Sequence, residues 1–120
     1  MTRTIMTVDD STSMRQMVKA TLQAAGYGVV EASDGQEALD YARENSVDLV
    51  ISDVNMPRMD GITLVHEQRS LSTYRLTPLL LLTTESSQEK KMEGKKAGAT
   101  GWIVKPFNPA QLLATLQKLL

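Results

Sequence analysis

Leu49-Val50-Ile51-Ser52-Asp53 runs from three aliphatic residues through a small hydroxyl to a carboxylate. A strand without polar alternation is covered on both faces, the condition of a central strand in a parallel sheet. Leu79-Leu80-Leu81-Leu82 repeats the pattern and is followed by Thr83 and Thr84. Outward from these two, Thr4–Val8, Gly28–Ala32 and Gly101–Val104 read as further short strands.

Segments of helical period lie between the strands. Met14, Met17, Val18, Leu22 and Ala25 recur at helical spacing until Gly26 stops them. Ala38, Leu39 and Ala42 mark a second helix that starts at Ser33 or Asp34, and Ile62, Leu64 and Val65, extended to Leu71, give a third after Gly61. A weak fourth runs over 87–97, with only Met92 and Ala97 apolar, Gly94 inside it and Gly98 at its end. The fifth opens with Asn108 as cap and Pro109 at the first helical position, and buries a stripe of Leu112, Leu113, Leu116, Leu119 and Leu120. Met14, Met17 and Met92 read as core rather than as thioether ligands. Strict alternation of strand and helix predicts one doubly wound α/β domain over 1–120, a five-stranded parallel sheet with helices on both faces and right-handed crossovers. No repeat or linker interrupts it, and no output domain is expected.

Composition narrows the function. The 120 residues are 42% hydrophobic and 22% charged, with a net charge of −1, as in a soluble domain with one core. So balanced a charge gives no reason to expect nucleic acid or an anionic membrane as partner. The chain has no cysteine, which excludes disulfides, thiolate metal sites and cysteine nucleophiles. One histidine, His66, leaves no room for histidine-rich metal sites and reads as exposed. No secretory leader opens the sequence and no apolar run spans a bilayer, so a cytoplasmic location is expected.

In open α/β sheets, ligands bind beyond the carboxyl ends of the strands. There the first strand leaves Asp9 and Asp10, the third Asp53, the fourth Thr83 and Thr84, and the fifth Lys105. Three carboxylates gathered at one edge repel by about 3 kcal/mol per pair at ~5 Å and an effective dielectric of ~20. Lys105 alone does not offset this. A hard divalent cation does, and an all-oxygen donor set suits magnesium or manganese over zinc. With such an ion and Lys105 the charges balance. One use of so costly a cluster is a carboxylate nucleophile toward phosphorus, its phosphoryl oxygens clamped by metal, lysine and a hydroxyl.

These residues carry a resemblance over the whole chain. Val8-Asp9-Asp10-Ser11, the run from Asp53 to Gly61, Leu82-Thr83-Thr84 and Lys105-Pro106-Phe107 resemble the receiver domain of two-component response regulators, above all the single-domain chemotaxis regulators of the CheY type. The resemblance implies the flavodoxin-like strand order 2-1-3-4-5, for which CheY is a standard example. It implies that Asp53 accepts a phosphoryl group from a phosphohistidine on a sensor kinase (CheA-like if the pathway is chemotaxis). Asp10, Asp53 and the carbonyl of Asn55 would bind Mg2+ directly, with Asp9 acting through water. Lys105 would pair with the aspartate or phosphoryl oxygens, Thr83 would be the switch hydroxyl, and Trp102 would stand at the aromatic switch position, usually Tyr or Phe. The Lys105–Pro106 bond is usually cis in the family. The chain would then be no enzyme in the ordinary sense, but a receiver that catalyses its own phosphorylation and slow dephosphorylation. It would signal as a monomer through the face of the fourth helix, fifth strand and fifth helix to a downstream protein such as the flagellar switch. Lys90, Lys91, Lys95 and Lys96 make the fourth helix more basic than in motor-binding relatives.

Plainer readings stand beside these. Asp9 and Asp10 could merely favour a helix N-terminus, worth ~0.3–1 kcal/mol. Lys105-Pro106 could only end a strand, Trp102 could only pack, and the lysines of the fourth helix could be a solvated face. Asp60-Gly61 reads as a structural turn. Thr84 could replace Thr83, although the spacing to Lys105 favours Thr83, and Glu85 stands near the site's mouth. Rival functions are a phosphate sink or relay intermediate, a small aspartyl-phosphate phosphatase and a flavin carrier. The phosphatases resemble an Asp-x-Asp motif with a longer core, whereas Asp9 and Asp10 are adjacent, and Ser11-Thr12-Ser13 lacks the glycine of a flavin phosphate loop.

Overall fold

The computed structural model describes residues 2–120. In chain order the elements are β1 (Thr4–Val8), α1 (Thr12–Ala24), β2 (Gly28–Ala32), α2 (Gly35–Glu44), β3 (Leu49–Ser52), α3 (Gly61–Arg69), β4 (Leu79–Thr83), α4 (Gln88–Ala97), β5 (Gly101–Val104) and α5 (Pro109–Leu119). The strands form one parallel sheet in the order β2-β1-β3-β4-β5, the flavodoxin-like order the resemblance implies.

Side chains alternate across the pleat, so each central strand feeds two cores. Met6, Val8, Val50, Leu79 and Leu81 meet α2 and α3 through Ala38, Leu39, Leu64 and Val65. Ile5, Leu49, Ile51, Leu80 and Leu82 meet α1 and α5 through Val18, Leu22, Leu112 and Leu116. Each fully buried leucine contributes roughly 1.5–3 kcal/mol, and truncating Leu116 to alanine would cost about 3 kcal/mol with the cavity it leaves.

Helix starts follow from side-chain caps. Ser11, Asp34, Asp60, Ser87 and Asn108 each accept a backbone N–H from the first turn of α1 to α5 in turn, which settles the second cap on Asp34 rather than Ser33. The fourth helix reads weakly because it touches the sheet through a glycine. A Cβ on Gly94 would lie 3.0 Å from the Trp102 ring and 3.1 Å from Leu81.

Three expectations need correction. Met17 and Met92 are 57% and 58% exposed and not core: Val18 and Leu22 hold the buried side of α1, and Gly94 makes the close contact of α4. Leu71 lies beyond α3 and precedes a 3-10 turn at Ser72–Tyr74. That turn buries Tyr74 completely, its hydroxyl donating to the carbonyl of Asn45. No described helix is long and apolar enough to cross a membrane.

Candidate functional site

The sheet's hydrogen-bond ladder runs one residue past the strand ends and places the charged groups. The N–H of Asp9 donates to Ala32 at 3.1 Å, that of Asp53 to Val8 at 2.9 Å and that of Lys105 to Thr83 at 2.8 Å. Each side chain is thus delivered to the carboxyl edge by a paired backbone. Behind Asp53 the chain turns back at Gly61, whose N–H donates to Val54 at 2.8 Å. A Cβ there would stand 1.9 Å from the Asp53 carbonyl oxygen, so the turn admits only glycine.

Asp9, Asp10 and Asp53 converge, one carboxylate oxygen of each lying within 4.8 Å of the others. Asp9 is buried, Asp53 half-buried and Asp10 exposed, so the cluster opens to solvent on one side. Lys105 Nζ lies 2.9 Å from Asp9 Oδ2 and 3.2 Å from Asp53 Oδ2 and bridges the two. The remaining oxygens are oriented by backbone: Asp9 Oδ1 accepts the N–H of Ser11 at 2.9 Å, and Asp53 Oδ1 that of Val54 at 2.7 Å. Burial works against the Lys105 ammonium, but the hydrogen bond to Asp9 and the charge of Asp53 outweigh it and hold the group above the ordinary lysine value. One ammonium still faces three carboxylates. An all-oxygen set with surplus negative charge, open on one side, fits a hard divalent cation.

Other expected residues fall around this centre. Asn55 is exposed in the loop that leaves Asp53. Thr83 is fully buried and Thr84 exposed. The Thr83 hydroxyl makes no hydrogen bond to the carboxylates; it accepts the N–H of Glu85 at 3.2 Å. Trp102 is half-buried outside the carboxylate pocket, and its Nε1 donates to the carbonyl of Glu85 at 2.9 Å. Thr83 and Trp102 therefore grip the two ends of residue 85. The Lys105–Pro106 bond is cis. His66 is exposed, away from the cluster's ligands. Sequence reasoning missed Arg15, whose Nη1 donates to the carbonyl of Asp9 at 2.7 Å, since nothing local marks an arginine on α1 as a support for that backbone.

Grooves flank Trp102 on both sides. One, of about 240 Å3, lies between α4 and β5 and is lined by Lys91, Lys95, Thr100 and Trp102. The other, of about 340 Å3, lies between β5 and α5 beside Val104, Phe107 and Gln111.

The profile of the family described as response regulator receiver domain matches residues 5–117. Chemotaxis protein CheY4 of Vibrio cholerae is 57% identical, with a TM-score of 0.94 over 100% of both chains. The receiver domain of the sensor histidine kinase PA1611 from Pseudomonas aeruginosa is 28% identical, with a TM-score of 0.92 over 99% of this chain and 98% of that one; its crystal structure has a magnesium ion coordinated in the active-site cleft. The transcriptional regulatory protein SrrA of Staphylococcus aureus is 34% identical over 120 residues, which are 100% of this chain and 48% of that protein. The chain thus spans about half the length of the curated relatives it matches.

Proposed function

The chain belongs to the response regulator receiver domain family, and on that footing we propose that it is a phosphorylation-switched signalling module whose phosphoacceptor is Asp53. The bridge from Lys105 to Asp9 and Asp53 carries this reading. It joins three strand ends in one charged cluster, which a merely structural role would not require.

Asp9, Asp10, Asp53 and the Asn55 carbonyl are the groups to hold Mg2+, with Mn2+ as a substitute. When bound, the ion supplies Lewis acidity at the phosphoryl oxygens and cancels carboxylate repulsion. The chain's own residues do the rest. An Asp53 carboxylate oxygen forms the bond to phosphorus as the P–N bond of a phosphohistidine breaks, and the departing imidazole keeps the electron pair. Lys105 donates to a phosphoryl oxygen and keeps its proton. Thr83 turns its hydroxyl to another oxygen and releases the N–H of Glu85. That release is the first step of the switch, because Trp102 holds the other end of residue 85. Two pre-existing arrangements of this loop then change population.

The output surface is the face of α4, β5 and α5, where both grooves open beside Trp102. The full-length likeness to CheY4 favours a chemotaxis pathway and a CheA-like sensor kinase in the cytoplasm. With Lys90, Lys91, Lys95 and Lys96 on α4, the partner presents an acidic surface, the flagellar switch being one candidate.

The test is phosphotransfer from a labelled histidine kinase. Wild-type chain takes up one phosphoryl group in Mg2+ and none in excess chelator, and Asp53→Asn takes up none. Undiminished labelling of Asp53→Asn would remove the residue from its role. Capture with and without beryllofluoride separates output from a phosphate sink, since a sink gains no partner beyond its kinase.

A further inference from the structure

The loop over 53–60, which carries Asn55, is tied on its far side by an ion pair that phosphoryl transfer does not use. Arg58 has φ +66, the one positive value outside glycine among the described residues. Across it the N–H of Met59 donates to the carbonyl of Pro57 at 2.7 Å, closing a γ-turn of the rarer, strained hand. Such a conformation at a residue with a Cβ persists only where its surroundings over-determine it.

The surroundings here are Asp34. Arg58 Nε lies 2.9 Å from Asp34 Oδ2 and Nη2 lies 3.1 Å from Oδ1, a fork of two parallel bonds. The Asp34 side chain is only 11% exposed and is fixed independently, since Oδ1 also accepts the N–H of Glu37 at 2.8 Å as the cap of α2. A second tie joins the same segments: the N–H of Gly35 donates to the carbonyl of Met59 at 3.2 Å. Exposed ion pairs usually contribute little because both ends move. In this pair one end is buried and already held, and the other sits on the strained residue.

The geometry points to Arg58 as a positioning residue, whose fork on Asp34 fixes the course of the loop between Asp53 and Asp60 and so raises the affinity of the carboxylate cluster for a divalent cation. This rests on the metal reading above, because the loop offers the Asn55 carbonyl to that ion. Arg58 touches neither ion nor phosphorus; it acts by sparing the loop the cost of being ordered when the ion binds.

The test is calorimetric titration of the full chain with MgCl2, beside amide exchange of residues 54–59 without metal. Arg58→Asn keeps a residue that tolerates left-handed backbone and removes the fork. It is expected to weaken Mg2+ binding about tenfold, the low end for loss of an outer-shell partner, and to speed exchange in the loop, while the metal-free melting temperature moves by less than about 3 °C. Asp34→Asn keeps an oxygen for the α2 cap and should lose the same affinity. The double variant should lose no more than either single one, because all three remove one interaction. Unchanged affinity in both single variants, additive losses in the double, or a lower melting temperature with unchanged affinity would each overturn the assignment. If the wild-type chain itself bound no Mg2+, the metal reading would fall with it; if only the variants' affinities stayed at the wild-type value, this inference alone would fall.

Discussion

The indole N–H of Trp102 donates to the carbonyl of Glu85 at 2.9 Å, while the N–H of the same glutamate donates to the Thr83 hydroxyl. One residue is therefore held at one end by the Thr83 hydroxyl and at the other by the aromatic side chain that borders both grooves. Movement of either side chain would free one end of residue 85, and in the function proposed above this is how a change at the carboxylate cluster reaches the face of α4, β5 and α5.

Trp102→Phe removes the indole donor and keeps an aromatic ring. It should cost about 1 kcal/mol, the net contribution of one such hydrogen bond. The amide of Glu85 should exchange faster, because the loop loses one of its two anchors. Unaltered exchange at Glu85 would show that the indole bond does not hold the loop.

Gly61→Ala places a methyl group against the Asp53 carbonyl, where a Cβ would stand 1.9 Å from the oxygen. Relief requires the backbone of Asp53 or of α3 to shift, so a loss of about 2 kcal/mol or more is expected in urea denaturation. A loss under about 0.5 kcal/mol would mean that the turn yields freely.

Lys105→Met leaves Asp9 and Asp53 facing each other without their shared ammonium. Breaking so enclosed a pair should cost about 3 kcal/mol in metal-free protein, and millimolar Mg2+ should restore most of it. The pH dependence has a definite sign. The folded value of Lys105 is raised, so the pair's contribution is complete below the ordinary lysine value of about 10.4 and is lost as pH rises through the higher folded value. Wild-type stability should show a fall in that alkaline range that Lys105→Met lacks, read from urea midpoints.

Gln68 on α3 is fully buried, and both polar atoms of its amide lack a partner among the described residues. An unmet buried amide costs about 1–3 kcal/mol. Gln68→Leu should therefore stabilise the fold by about 1 kcal/mol, and a destabilised variant would show that the amide is satisfied in solution.

Strands and their chemistry were legible because one pattern encodes both. An apolar run followed by Asp9, Asp53 or Lys105 states where the strand ends and what it delivers. Helices were legible where side chains supply the packing, as Leu112 and Leu116 do on α5. They read poorly on α4, whose contact with the sheet is made at Gly94. What stayed hidden was contact between distant segments away from the strand ends. Arg58 and Asp34 are 24 residues apart, and neither carries a local sign of the other. Tyr74 carries no local sign of its burial, which depends on a single 3-10 turn and on Asn45 across the fold. The buried amide of Gln68 left no trace in periodicity, since its position on α3 faces the interior whatever residue occupies it.

The most direct test of the central claim is chemical mapping of the phosphoryl group. Wild-type chain phosphorylated in Mg2+ is reduced with borohydride, which converts an aspartyl phosphate to homoserine, and its peptides are sequenced by mass spectrometry. The account predicts conversion at Asp53 alone, and none when Mg2+ is withheld. Conversion at Asp9 or Asp10, or a phosphoryl group on a serine, threonine or His66 with Asp53 untouched, would contradict it.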